Sequence, residues 1–227
     1  MAANAQPIEA ILVDVDGTLI DSYRLYIESY RRALEPYLGY SLEAHEVVSR
    51  TPSSERQFIV DWIGERDAAA CHEAMKQHYS ELHQALAEGM YEGVREMLAG
   101  LRSAAIPLGV VTGKGRGAWE VTLQHFDLGS FASVVTDDDV DHPKPHPGGL
   151  LHAAAEMKVA PESVVYLGDS VGDMEAGRAA GMKVAAALWP KTEPGEPESF
   201  REAIAPFAPD WVFERPADVV RTFAAWC

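Results

Sequence analysis

Two aspartates separated by one residue, Asp14 and Asp16, stand where an apolar run stops, in Ile11-Leu12-Val13-Asp14-Val15-Asp16-Gly17-Thr18. Alternate residues of a strand point the same way. A strand ending here can present both carboxylates together at its C-terminal mouth. Like charges so close are costly unless a metal or a proton separates their titrations. A soluble core has little structural use for such a pair, so the pair reads as chemistry. Gly17 lets the chain turn sharply and lets backbone approach a ligand. Three further polar constellations lie downstream: Thr112-Gly113, Lys144 between two prolines, and Gly168-Asp169-Ser170-Val171-Gly172-Asp173.

These groups need elements to carry them. Ile11 to Val13, preceded by Ile8 and Ala10, reads as a short buried strand. From Tyr23 the period changes: Tyr26, Ile27, Tyr30 and Leu34 recur at spacings of three and four, an amphipathic helix. A second helix starts near Leu42, and Ser53 or Ser54 caps a third bearing Phe58, Ile59 and Trp62. A long helix follows from about Asp67 to Glu88. Asp21 to Gly89 thus reads as helical throughout, an insertion after the first strand. From Met90 strands and helices alternate, with strands over 106–111, 132–135, 163–167, 182–188 and 211–213 and helices over 93–102, 149–158, 174–180 and, briefly, 200–204, and one marked by Trp119, Thr122, Leu123 and Phe126. That alternation predicts a doubly wound parallel α/β sheet. Such sheets bind ligands outside the carboxyl ends of their strands. Four groups distant in sequence would therefore converge on one rim.

In type, order and spacing these residues resemble the haloacid dehalogenase superfamily, and specifically its phosphatase-type members with a helical cap. Asp14-Val15-Asp16-Gly17-Thr18 looks like the nucleophile motif, Thr112 the second, Lys144 in Lys144-Pro145-His146-Pro147 the third, and Gly168 to Asp173 the acidic fourth. The resemblance covers nearly the whole chain. It implies a Rossmann-like catalytic core from residues 1–20 and 90–227 and an all-helical cap from 21–89. Phosphoglycolate phosphatase-like and β-phosphoglucomutase-like members are the nearest in pattern. The dehalogenases that name the superfamily lack the second aspartate, and here Asp16 is present.

The resemblance implies roles. Asp14 would attack phosphorus and carry an aspartyl-phosphate, replacing one hard step by two easier ones. Asp16 would protonate the leaving oxygen and then take a proton from water; its backbone carbonyl would also bind the metal. Asp169 would be a direct carboxylate on Mg²⁺ beside Asp14, with Asp173 acting through water or by orienting, a role compatible with capping its helix. Thr112 and Gly113 would hold phosphate oxygens with Gly17 and Thr18 close by, and Lys144 would supply positive charge. Arg50 and Arg56, flanking a cap turn, could anchor a second anionic group of a substrate. Lys114 reads as surface. Asp137 to Asp141 reads as a solvated acidic loop, lacking the glycine and closing glutamate of a calcium loop. His142 and His146 read as loop histidines.

Composition narrows the partners. The chain has 227 residues, 47% hydrophobic, and 19 basic against 35 acidic side chains give a formal net charge of −16. An acidic protein of this kind is a poor candidate for nucleic acid or an anionic membrane. Any anionic substrate needs local positive charge. Cys71 and Cys227 stand far apart without metal-type spacing, as suits a reducing cytosol. Met1 to Pro7 has no signal-peptide character, so a cytoplasmic location is expected. The combined expectation is a Mg²⁺-dependent phosphatase acting on a small phosphorylated metabolite. The alternatives are a phosphosugar mutase that hands the phosphoryl group to a second hydroxyl, and a binding protein that kept the fold without turnover.

Overall fold

The computed structural model of the chain describes residues 7–48 and 54–224. In chain order the elements are β1 (Ala10–Val13), β2 (Ile20–Asp21), α1 (Tyr23–Leu38), α2 (Ala44–Val48), α3 (Glu55–Ile63), α4 (Glu65–Leu86), β3 (Gly89–Met90), α5 (Val94–Ser103), β4 (Leu108–Val111) and α6 (Arg116–His125). There follow β5 (Ser133–Val135), α7 (Gly148–Met157), β6 (Val164–Gly168), α8 (Val171–Ala179), β7 (Lys183–Ala187), α9 (Glu196–Ile204), β8 (Trp211–Phe213) and α10 (Pro216–Phe223). Six strands form one parallel sheet in the order β5-β4-β1-β6-β7-β8.

β1 is central, between β4 and β6, and all four of its residues are buried. A parallel strand covered on both faces must be apolar throughout. Its side chains divide by parity. Ile11 and Val13 pack in a cluster with Val94, Met97 and Leu101 of α5 and Val219 and Phe223 of α10. Ala10 and Leu12 pack with Leu150 and Ala154 of α7 and Ala176 of α8. Helices therefore cover both faces, and the expected doubly wound sheet is what forms. Truncating Ile11 or Leu12 to Ala would cost about 2–5 kcal/mol, the range for emptying a close-packed core site.

Helices α1 to α4 lie between β2 and β3, which pair antiparallel through Ile20 with Met90 and Asp21 with Gly89. This small ribbon at the two ends of the insertion is absent from the sequence reading, since two residues carry no readable alternation. Leu25, Tyr30 and Leu34 of α1, Phe58 and Ile59 of α3, and Cys71, Met75 and Tyr79 of α4 build a separate apolar cluster. Ala118 of α6 belongs to it, so the helical layer is seated on the core through α6. Ser54 caps α3, accepting from the Gln57 amide at 3.0 Å. Pro36 lies inside α1 and does not end it; the helix stops at Gly39, whose left-handed φ of 75° closes the last turn onto the Glu35 carbonyl. The C-terminal helix α10 was not expected. No described helix is long and apolar enough to cross a membrane.

Candidate active site

Asp14 directly follows the last residue of β1, and its amide continues the ladder by donating to the Leu167 carbonyl of β6 at 2.9 Å. From there the backbone coils tightly: the Val15 carbonyl accepts from Leu19 at 2.8 Å and Ile20 at 3.0 Å, and Gly17 donates to the Ile20 carbonyl at 3.0 Å. The Trp189 indole, beyond β7, clamps this loop by donating to the Thr18 carbonyl at 2.9 Å. Gly17 has φ of 78°, and a Cβ there would lie 2.5 Å from Asp169 Oδ2. The conformation and the close approach both demand glycine. The loop can hold its backbone against the acidic group of β6 only because that residue has no side chain.

Asp169 follows β6, and Asp173 is the third residue of α8. One oxygen each of Asp14, Asp169 and Asp173 lies within 4.8 Å of the others. All three residues are buried. Burial pushes the Asp14 carboxyl up to about 8; Lys144 opposes that rise, and the charges of Asp173, Asp169 and Asp16 add to it. Burial also raises Asp169, against the pull of Lys191. For Asp173 burial acts upward too, but the Lys144 ammonium and hydrogen bonds from Lys144, Ser170 and Tyr166 outweigh it and hold the carboxyl low.

The hydrogen bonds separate the three carboxylates by capacity. Asp173 Oδ1 lies 2.7 Å from Lys144 Nζ and 2.9 Å from the Tyr166 hydroxyl, while Oδ2 accepts from the Ser170 amide at 3.0 Å and hydroxyl at 2.6 Å. Ser170 Oγ in turn accepts from the Asp173 amide, a reciprocal capping box that starts α8. A carboxylate offers about four lone-pair sites, so Asp173 is nearly saturated. Among the described residues Asp14 accepts from Lys144 alone, at 2.9 Å. Asp169 accepts from Thr18 Oγ1 at 3.3 Å and Lys191 Nζ at 2.7 Å. Asp14 and Asp169 thus retain hard oxygen donors facing one point. The set could hold a divalent cation that prefers oxygen donors, which would relieve its crowding of charge.

Lys144 closes the group from the loop after β5. Its ammonium reaches Asp14, Asp173 and the Tyr166 hydroxyl, the last at 3.0 Å. Thr112, buried at the end of β4, donates its amide to the Val135 carbonyl at 3.0 Å, and its hydroxyl accepts from the Lys114 amide at 3.2 Å. Gly113 follows it. The Asp16 carboxylate lies outside the metal-type trio; it accepts from Ser22 Oγ at 2.5 Å and forms an ion pair with Lys114 Nζ at 3.0 Å. The four sequence motifs therefore do meet on one rim. Arg56 does not join them: it is exposed on α3, and its described partner is Glu65 at 2.7 Å. Arg50 lies outside the described residues.

Sequence reasoning missed four side chains. Lys114 is not a surface lysine; its side chain has no solvent exposure. Its partners come from 35 and 88 residues away, so nothing local signals its burial. Lys191 and Tyr166 reach the acidic group from β7's exit and from mid-strand β6, again through the tertiary fold. Ser22 looks like an ordinary helix start. The acidic loop is also more ordered than a solvated run. Asp139 accepts from the Thr136 amide and hydroxyl and from Arg116, and Asp138 accepts from the Arg116 amide at 2.6 Å. These contacts anchor the start of α6. His142 and His146 pack against each other, 5.1 Å between ring centroids, and belong to no metal-type group among the described residues.

A buried carboxylate on a strand end, an acid two residues on, a paired lysine and a second acidic loop meet at the carboxyl end of a doubly wound sheet. The chain belongs to the haloacid dehalogenase-like hydrolases, whose family model matches residues 11–187. It is 31% identical over 216 residues to the pyrophosphatase PpaX of Bacillus velezensis and 32% identical over 217 to that of Bacillus mycoides, covering 94% of this chain and 95% of each relative. It is accordingly a hydrolase. Among solved structures, a Lactobacillus plantarum protein with a provisional phosphoglycolate phosphatase name superposes at a TM-score of 0.80, with 23% identity over 96% of this chain and 100% of that one. CbbY from Rhodobacter sphaeroides, solved in complex with phosphate, superposes at 0.74 with 23% identity over 93% and 96%. Both share the fold.

Proposed function

We propose that the protein is a Mg²⁺-dependent phosphatase that hydrolyses a small soluble phosphate ester through an aspartyl-phosphate on Asp14. The observation that carries this reading is the buried pairing of Asp14 with Lys144 beside Asp169. A nucleophile kept ionised and uncrowded needs such a cation, and a phosphate needs the same charge.

Asp14 Oδ2 is the attacking atom, since Oδ1 is held by Lys144. The Thr112 hydroxyl and the Gly113 amide donate to the entering phosphoryl oxygens, with Gly17 and Thr18 close by. Asp16 gives a proton to the leaving oxygen, then takes one from the water that attacks the aspartyl-phosphate. Lys144 neutralises charge shared between Asp14 and the phosphoryl oxygens. Asp14 and Asp169, with the Asp16 carbonyl, would hold the cation, and Asp173 would orient Lys144. When bound, Mg²⁺ screens the repulsion between Asp14 and the phosphate and stabilises transferring charge.

The leaving group is selected by the helical layer of residues 21–89, with Arg50 as the cation proposed to grip a second anion; Arg56 would have to leave its pair with Glu65 to share in this. Phosphoglycolate and inorganic pyrophosphate both carry one, and both come first on a substrate panel. The test is phosphate release over that panel with Mg²⁺ and with chelator. Release from one or more small esters, lost on chelation, is expected. A panel on which no ester turns over faster with Mg²⁺ than without would overturn the reading.

A further inference from the structure

Lys114 sits on the loop after β4, and its Nζ carries three N–H groups with three acceptors. These are Asp16 Oδ1 at 3.0 Å, the Tyr26 hydroxyl of α1 at 3.0 Å and the Tyr79 hydroxyl of α4 at 2.7 Å. The ammonium also lies 4.6 and 4.5 Å from the centroids of the Tyr26 and Tyr79 rings. The protons of the two phenols are both spent elsewhere. Tyr26 donates to Glu55 Oε1 at 2.8 Å. Thr122 gives its own proton to the Ala118 carbonyl, so Tyr79, 3.2 Å from Thr122 Oγ1, donates to it. Both phenols therefore face Lys114 with lone pairs, and the direction of every bond is fixed.

Burying an unpaired ammonium is expensive. The cage that makes this burial tolerable is built from α1 and α4, whereas Lys114 and Asp16 belong to the rim of the sheet. The contact on Asp16 is also one-sided. Ser22 donates to Oδ1 and the Lys114 ammonium pairs with that same oxygen, which leaves Oδ2 as the oxygen to hold or move a proton.

We propose that Lys114 is a positioning residue that, held by Tyr26 and Tyr79, fixes the Asp16 carboxylate with Oδ2 toward the reacting group, so that the acid–base group is in place only while the helical layer is seated on the rim. This rests on Asp16 as the acid–base group of the proposed phosphatase. Lys114 touches neither nucleophile nor phosphate; it acts through Asp16.

The test is a double-mutant cycle of Lys114→Met and Asp16→Asn, read on p-nitrophenyl phosphate and on inorganic pyrophosphate, with acid-quenched phosphoenzyme measured alongside. Lys114→Met should lower kcat about 10–100-fold on both substrates, part of the ordinary acid–base contribution, with KM within about threefold. Phosphoenzyme should accumulate, because its hydrolysis needs the Asp16 base. In the Asp16→Asn background the same change should cost less than about twofold, since the residue it acts through is gone. Should Lys114→Met not fold, judged by circular dichroism, the Tyr26→Phe/Tyr79→Phe pair keeps both rings, removes two acceptors and carries the same cycle. An equal loss in both backgrounds makes Lys114 merely structural and overturns the proposal. So does a rise in KM confined to pyrophosphate, which would make it a contact to the substrate's second anion. Native kcat in Asp16→Asn alone is a different result, which removes the acid–base reading itself.

Discussion

Replacing Lys144 by Met should damage the protein twice, and the two effects can be measured apart. The Lys144 side chain is only 15% exposed, and its ammonium joins Asp14 at 2.9 Å and Asp173 at 2.7 Å, both buried. Methionine keeps the bulk and removes the charge. Breaking a buried pair in this way typically costs about 3–5 kcal/mol, because the partner charges stay behind unpaired. For a chain of this size about 1 kcal/mol moves Tm by roughly 2–4 °C, so a fall of about 6–20 °C at neutral pH is expected. The sign with pH follows from the carboxylates. Asp173 is held below its ordinary range in the fold, so the stability it contributes is present above its unfolded pKa and lost as pH falls. Protonating Asp173 also removes the charge stranded by the substitution. The gap in Tm between native protein and variant should therefore be widest at pH 7 and close as the solution is acidified. In catalysis, loss of a preorganised donor to the phosphoryl group costs about 2.7–4 kcal/mol, or roughly 10²–10³ in kcat. That loss should be the same for every ester, p-nitrophenyl phosphate included, since all share the phosphoryl group. Thermal denaturation from pH 4 to 8 and kcat on a panel of esters supply the check. A Tm within about 2 °C of native at pH 7, together with kcat reduced less than about threefold, would refute this reasoning.

Chelator should abolish turnover and Mg²⁺ restore it, but not Ca²⁺, whose larger, looser shell misplaces in-line geometry; Asp169→Ala should weaken metal binding by calorimetry more than Asp173→Ala does, and the reverse order would exchange their roles. Gly17→Ala should cost about 1–3 kcal/mol in backbone strain alone and displace Asp169, seen as a lower Tm and a weaker Mg²⁺ titration; a variant matching native in both would deny the close approach. Arg50→Ala and Arg56→Ala should change kcat/KM ratios among natural esters by roughly ten- to a hundredfold while sparing p-nitrophenyl phosphate; unchanged ratios would remove both arginines from substrate selection. His83, on α4, is pushed down to about 4, first by burial and then by His125, so the native state resists the proton that the unfolded chain accepts near 6.5. Stability should fall as pH drops from 6.5 toward 4, and His83→Phe should flatten that fall in Tm; an equal slope in the variant would remove His83 as a cause.

The parts of the fold that the sequence discloses are those with local causes. A four-residue apolar run ending in Asp14-Val15-Asp16-Gly17 can only be a buried strand with a polar exit, and the structure has it so. Val111 to Gly113 and Gly168 to Asp173 repeat the pattern, which is why the rim could be assembled on paper. Acidic Asp173 three residues after Ser170 announces its own capping box. What stayed hidden depends on distant partners. A lysine two residues after Thr112 looks solvated until Tyr26 and Tyr79 are folded over it. Lys191 reads as a loop charge, yet it sits on Asp169 at 2.7 Å. Helix α10 escaped because Val219, Val220 and Phe223 make a short stripe whose counterpart is the α5 surface, where Gly100 leaves room for Val220. Two-residue strands such as Ile20-Asp21 have no pattern of their own and exist because Gly89-Met90 lies opposite.

The central claim is that Asp14 carries the phosphoryl group. The direct measurement is a rapid acid quench during turnover of a ³²P-labelled ester, followed by peptide mapping of the labelled protein. The account predicts label on the peptide containing Asp14, acid-stable and released by hydroxylamine, and none in Asp14→Asn, which should keep its fold and lose turnover. Phosphate mapped to another residue, or an Asp14→Asn enzyme turning over within about tenfold of native, would contradict it.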